Sequence, residues 1–212
     1  MTGPTAIDGG TIATIGAQTY NSAVTLGAVA SLTAVNNAIG FGSTVDGGFG
    51  LTVNALAGAV TFGGTVGGIG PLASLTVTGP TTLDANVTTV GAQTYNSGVT
   101  LGNSIALATT DSAVDFVGSL DATTAGLQGL TVAAGSGTVT FNGAVGAGQA
   151  LGTLSVTGPT DINGGGVATT GAQTYHSAVT LSAAAALTAA NNAIDFISTV
   201  DGGFGLTVNA GT

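Results

Sequence analysis

The sequence contains no lysine and no arginine in 212 residues, and its nine acidic residues are all aspartate, so a net charge of −9 meets no internal cation. Nucleic-acid binding needs cationic side chains against phosphate, and that class is excluded. Anionic membrane surfaces are disfavoured on the same ground. Cysteine and tryptophan are also missing. The lack of cysteine does not fix a compartment, because stacked strands can be stabilised by their ladders without disulfides. Met1 is followed by Thr-Gly-Pro, without a basic stretch leading into an apolar core, so no signal peptide is expected here. No apolar run reaches the roughly 18 residues of a spanning helix, the nearest being Leu181 to Ala190, and no transmembrane segment is expected. Regular ten-residue strands with aromatic girdles, the mark of a membrane barrel, are missing too.

What is abundant is glycine, at 38 residues, together with Thr, Val, Ala and Asn. The glycines follow no three-residue period, which excludes collagen, and recurrent short runs of Val, Leu, Ile and Phe argue against disorder. Thr and Val favour strands, whereas Gly and Asn favour tight corners. Many short strands and no helix are expected.

The chain repeats itself. Gly3-Pro4-Thr5, Gly79-Pro80-Thr81 and Gly158-Pro159-Thr160 open three copies of a unit of about 75–80 residues, spanning 3–78, 79–157 and a shorter 158–212. Gly-Ala-Gln-Thr-Tyr follows at Gly16, Gly91 and Gly171, then a Val-Thr-Leu strand ending at Leu26, Leu101 and Leu181. Phe41, Phe116 and Phe196 each precede an aspartate (Asp46, Asp121, Asp201), and Thr44 to Asn54 recurs unchanged as Thr199 to Asn209. The first two copies continue through Val-Thr-Phe at Phe62 and Phe141 to Leu75 and Leu154.

Leu51-Thr52-Val53 and Leu130-Thr131-Val132 alternate with the period of two that buries one face of a strand. Corners are marked by Gly pairs, Asn36-Asn37, Asn191-Asn192 and Gly-Pro, residues that accept left-handed backbone or stop a ladder. Near-identical units build a linear stack more naturally than a closed β-sandwich. The expected fold is therefore all-β, a single parallel β-solenoid over 1–212. Coils of roughly 18–25 residues give three to four coils per unit, and a height on the order of 50 Å.

No constellation for catalysis emerges, and the chain is expected not to be an enzyme, with no catalytic or cofactor-binding residue. Asp115 with Asp121, and Asp195 with Asp201, are the carboxylate pairs that a corner could bring together, but no cation accompanies them. His176, the only histidine, stands where the other copies carry Asn21 and Asn96, so it is expected to be a polar edge residue. The Asp-Gly-Gly steps at Asp46 and Asp201, with Asp121 at the equivalent place of the second copy, make these three the calcium candidates, although the tandem Gly-Gly-x-Gly-x-Asp turns of calcium-binding repeats are absent. The Thr76/Thr78 and Thr138/Thr140 pairs raise an ice-binding face, yet they do not recur at a constant one-coil spacing. Tyr20, Tyr95 and Tyr175 are each expected to cover a corner of their own unit.

The succession Gly-Ala-Gln-Thr-Tyr, Val-Thr-Leu, Phe-x-x-x-Val-Asp-Gly, Leu-Thr-Val-Asn and Val-Thr-Phe resembles the repeat regions of filamentous-haemagglutinin-like and autotransporter-type bacterial surface proteins. That resemblance implies a right-handed β-helix, exported to the cell surface, that forms the shaft of an adhesin. It also implies a structural role, as shaft or as protomer of an extracellular fibre. The partners expected are a continuation of the same chain, or further copies stacked end to end. The alternatives are a ligand-binding solenoid, for ice or glycan, and a polysaccharide-degrading β-helix.

Overall fold

The computed structural model describes residues 1–211, which fold into 28 short strands with no helix among them. Successive strands turn a corner and then run parallel to the strand one circuit earlier, as at Thr5–Ile7 against Val24–Leu26. The result is a parallel β-solenoid with three faces. The second face is a continuous ten-stranded sheet from Gly10–Thr14 to Val200–Asp201. The first and third faces each hold two shorter sheets, bridged by Val45–Val66–Val87 and by Leu120–Val145–Val167 respectively. One circuit takes between 18 residues (Leu75 to Gln93) and 25 (Val114 to Val139), the longer circuits carrying their extra residues in the corners.

Each strand buries alternate residues, because period-two side chains leave one face inward. In Leu51, Val53, Val60, Phe62, Leu75 and Val77, that inward set is sealed from solvent. One core runs the length of the stack. Within it the rings form columns: Tyr20–Phe41–Phe62 on the third face, Tyr95–Phe116–Phe141 on the second, and Tyr175–Phe196 on the first. Centroids lie 5.1 to 5.4 Å apart with near-parallel planes, each contact being worth about 0.5–1.5 kcal/mol beyond burial.

The corners follow the sequence. Asn36, Asp111 and Asn191 adopt left-handed backbone, with φ of 53°, 51° and 58°, as their short polar side chains allow. Gly58 and Gly137 are needed for closeness rather than for φ. A Cβ there would overlap the backbone of Asn37 or Ser112 in the coil beside it.

The repeat is not in step with the coil. From Gln18 the third-face ladder passes through Ile39, Val60 and Thr81, three circuits on, and Gln93 lies two faces further along the chain. The step from Gln93 through Val114, Val139 and Thr160 to Gln173 is the same. The signature thus moves from the third face to the second to the first, and each face receives one aromatic column in turn.

Candidate functional site

The Gln-Thr-Tyr element is the most chemically elaborate feature of the chain, and it lies inside. Both Gln93 and Tyr95 are fully buried, as are Gln173 and Tyr175. In strand geometry residues i and i+2 point the same way, so an inward tyrosine carries its glutamine inward with it. The Gln93 amide donates to Val87 O in its own coil at 3.4 Å, to Ala108 O in the next at 2.9 Å, and to Thr89 Oγ1 at 3.3 Å. Tyr95 then donates to Gln93 Oε1 at 3.2 Å, while Thr89 donates to Gly91 O. Gln18 and Gln173 repeat the pattern with Thr14 and Thr169. A buried amide costs little when all its groups are paired, and here it ties two coils together at a corner.

The tyrosines therefore do not cover corners. They are core rings whose phenols need the glutamine as acceptor. Burial raises the pKa of Tyr95 and Tyr175 well above the ordinary phenol value, and that of Tyr20 in the first coil is raised as well.

The aspartates are dispersed. Asp46, Asp121 and Asp201 lie on the first, third and second faces respectively. Asp46 Oδ1 accepts from Ile69 N and Gly70 N at 2.8 and 3.2 Å, and Asp121 Oδ1 from Gly148 N and Gln149 N at 2.8 and 3.1 Å. Both carboxylates thus close a turn of the next coil. Asp115 and Asp121 lie on different faces, as do Asp195 and Asp201. Among the described residues no three His, Cys, Asp or Glu side chains converge. His176 stands beside Ser155, Nε2 to Oγ 3.3 Å, on the outer surface.

Threonine behaves differently from the sequence expectation. The second face presents an unbroken outward row of Thr11, Ser31, Thr52, Thr76, Thr94, Asp115, Thr140, Asp161, Thr180 and Asp201, one residue per coil. The row has no constant spacing in sequence because the circuits differ in length. In space the ladder restores it.

The two end surfaces remain. On the last coil Leu206 and Val208 are 36 % and 46 % exposed, whereas their counterparts Leu51 and Val53 are sealed by the following coil. Ile194, Phe196 and Val200 are only partly buried there. At the first coil, Asn21 N donates to Met1 O at 3.0 Å, as Asn96 N does to Val77 O and His176 N to Val156 O. Met1 thus occupies the place of the strand that precedes Tyr95 and Tyr175. Beside it an open depression of about 250 Å³ is lined by Met1, Ile12, Thr14, Ala17, Gln18 and Tyr20.

Compared with protein-family models, with curated proteins and with solved structures, the chain gives no match. Among the described residues no helix is long and apolar enough to cross a membrane.

Proposed function

We propose that the chain is a length of rigid, non-catalytic shaft, part of the stalk of a bacterial cell-surface adhesin or of an extracellular fibre. The observation that carries this reading is where the recurring residues go. Gln93, Tyr95 and Phe116, with their counterparts in the other units, are spent inside the stack and on its corners. The outward groups with chemical capacity change from unit to unit: Asn21 and Asn96 become His176, and Gly40 becomes Asp115 and Asp195. A shaft needs the first set constant and tolerates drift in the second. The sequence resemblance to adhesin repeats supports the same role and a surface location. Calcium at Asp46, Asp121 or Asp201 is not required by it.

The test is mechanical and topographic. Stretched between handles attached at its two ends, the chain should resist until a distinct rupture force and then release most of its length in discrete steps. Antibody against it should label intact cells of its source. Extension without a force peak, or labelling only after permeabilisation, contradicts the reading.

A second reading, a ligand-binding face, is favoured by one observation, the hydroxyl row Thr11 to Thr94 at the strand spacing of about 4.8 Å. Thermal hysteresis or glycan binding that disappears in Thr52→Lys/Thr76→Lys would establish it. Neither activity in the unaltered chain removes it.

A further inference from the structure

The chain holds two Asn-Gly steps, Asn142-Gly143 and Asn163-Gly164, and they stand in adjacent coils at the corner between the second and third faces. In an Asn-Gly step the backbone amide attacks the side chain before it most readily, because glycine puts no Cβ in the way. Packing dictates both glycines. A Cβ on Gly143 would overlap the Gly118 carbonyl of the preceding coil, and one on Gly164 would overlap the Gly143 carbonyl.

The two steps are alike in sequence and unlike in surroundings. We propose that Asn142 is a self-modification site, converted through Gly143 to aspartate and isoaspartate in the folded chain, while Asn163 is preserved.

The Asn142–Gly143 peptide group is unengaged: neither Asn142 O nor Gly143 N has a hydrogen-bond partner among the described residues, so the amide can turn toward the side chain. Gly164 N, in contrast, donates to Phe141 O at 3.0 Å, beside Asn163 N on the same acceptor at 2.9 Å. The nucleophile of that second step is tied into the adjacent coil. The electrophiles differ as well. Asn163 Nδ2 donates to Asn142 Oδ1 at 2.9 Å, which draws electron density from the Asn142 side-chain carbonyl and stabilises the oxyanion formed when Cγ is attacked. Asn163 Oδ1 is sealed from solvent with no donor among the described residues, so an oxyanion there would be buried and unpaired. Asn142 is also exposed, which lets water in and ammonia out.

The reaction needs only solvent. Gly143 N bonds to Asn142 Cγ and gives up its proton as the Cγ–Nδ2 bond breaks, releasing ammonia and closing a succinimide. Water then opens the ring. Addition at the side-chain carbonyl leaves aspartate, and addition at the main-chain carbonyl leaves isoaspartate, whose backbone runs through the former side chain. The altered peptide carries no ladder bond, so the sheet loses none. The corners, where circuits of 18 and 25 residues already differ, take up the added backbone atom.

Incubation of the full chain at neutral pH, followed by cleavage before aspartate, separates the two sites into fragments 121–160 and 161–194. The first fragment should gain the mass of an amide-to-acid exchange several-fold sooner than the second, and isoaspartyl methyltransferase should label it. The same chain held in denaturant should convert both sites at comparable rates, since only the local sequence then acts. Equal rates in the folded chain, or an Asn142 that converts only in denaturant, would overturn the inference. Asn163→Asp, which installs the residue that the other copies carry as Asp8 and Asp84, removes the donor and should slow conversion at Asn142 several-fold. An unaltered rate in that variant would overturn the activation assigned to Asn163.

Discussion

Tyr95 donates its phenol hydrogen to Gln93 Oε1 at 3.2 Å, from two residues further along the same strand, and both side chains are cut off from water. The pair is a closed unit in which the glutamine amide also serves two carbonyls and a threonine hydroxyl. Gln93→Leu strands all of these partners and should cost about 3–5 kcal/mol in denaturant unfolding, by the penalty for several buried unpaired groups. Tyr95→Phe leaves only one acceptor unserved and should cost about 1–2 kcal/mol. The double variant should fall short of the sum, because both changes break one network.

Leu56 carries a left-handed φ of 54°, at a corner where the other copies have Gly135 and Gly211 with φ of 60° and 68°. A branched side chain pays about 1–2 kcal/mol for that backbone, whereas glycine does not. Leu56→Gly should therefore stabilise the fold by roughly 1 kcal/mol, after allowance for the greater freedom of glycine in the unfolded chain. A melting temperature that falls would contradict the strain assigned to this corner.

Two glycines make opposite forecasts. A methyl group on Gly137 would run into the Ser112 backbone of the adjacent coil, while one on Gly40 meets open space. Gly137→Ala should lower stability by about 1–3 kcal/mol through overpacking. Gly40→Ala should be close to neutral, as Asp115 and Asp195 at the equivalent places already imply. Thermal melts of the two variants side by side check the contrast.

Alkali should unfold the protein through its tyrosines. Burial holds the folded phenols of Tyr95 and Tyr175 above the ordinary value of 10.0, so the folded state keeps its protons while the unfolded state loses them. The stabilisation is complete below pH 10 and is lost as pH rises above it, at roughly 1.4 kcal/mol per tyrosine per pH unit. Phenolate absorbance should then appear together with loss of β-structure. Phenolate formed in a folded chain would place these rings at the surface.

The solenoid was legible because the repeat and the Val-Thr-Leu alternation are written in short, nearly constant segments. Its register was not. Circuit length varies between 18 and 25 residues along the row without a marker in sequence, so the outward row from Thr11 to Asp201 could be assembled only from the strand pairing. The tyrosines were misplaced for a different reason: a phenol reads as a surface group until its acceptor is found. The signal was present in Gln93 and Tyr95 themselves, since positions two apart in a strand share a side. The aspartates Asp46, Asp121 and Asp201 likewise read as cation ligands, whereas Asp46 and Asp121 spend an oxygen on backbone N–H groups of the following coil. That contact depends on which coil lies next, and local spacing does not encode it.

The central claim is a straight stack in which one outward row climbs the whole molecule. Spin labels at Thr11→Cys and Asp201→Cys, the two ends of that row, lie nine strand spacings apart. Pulsed dipolar spectroscopy should therefore find a single narrow distance near about 43 Å, plus the reach of the labels. A broad distribution, or a distance under about 30 Å, would contradict both the register and the rigid shaft built on it.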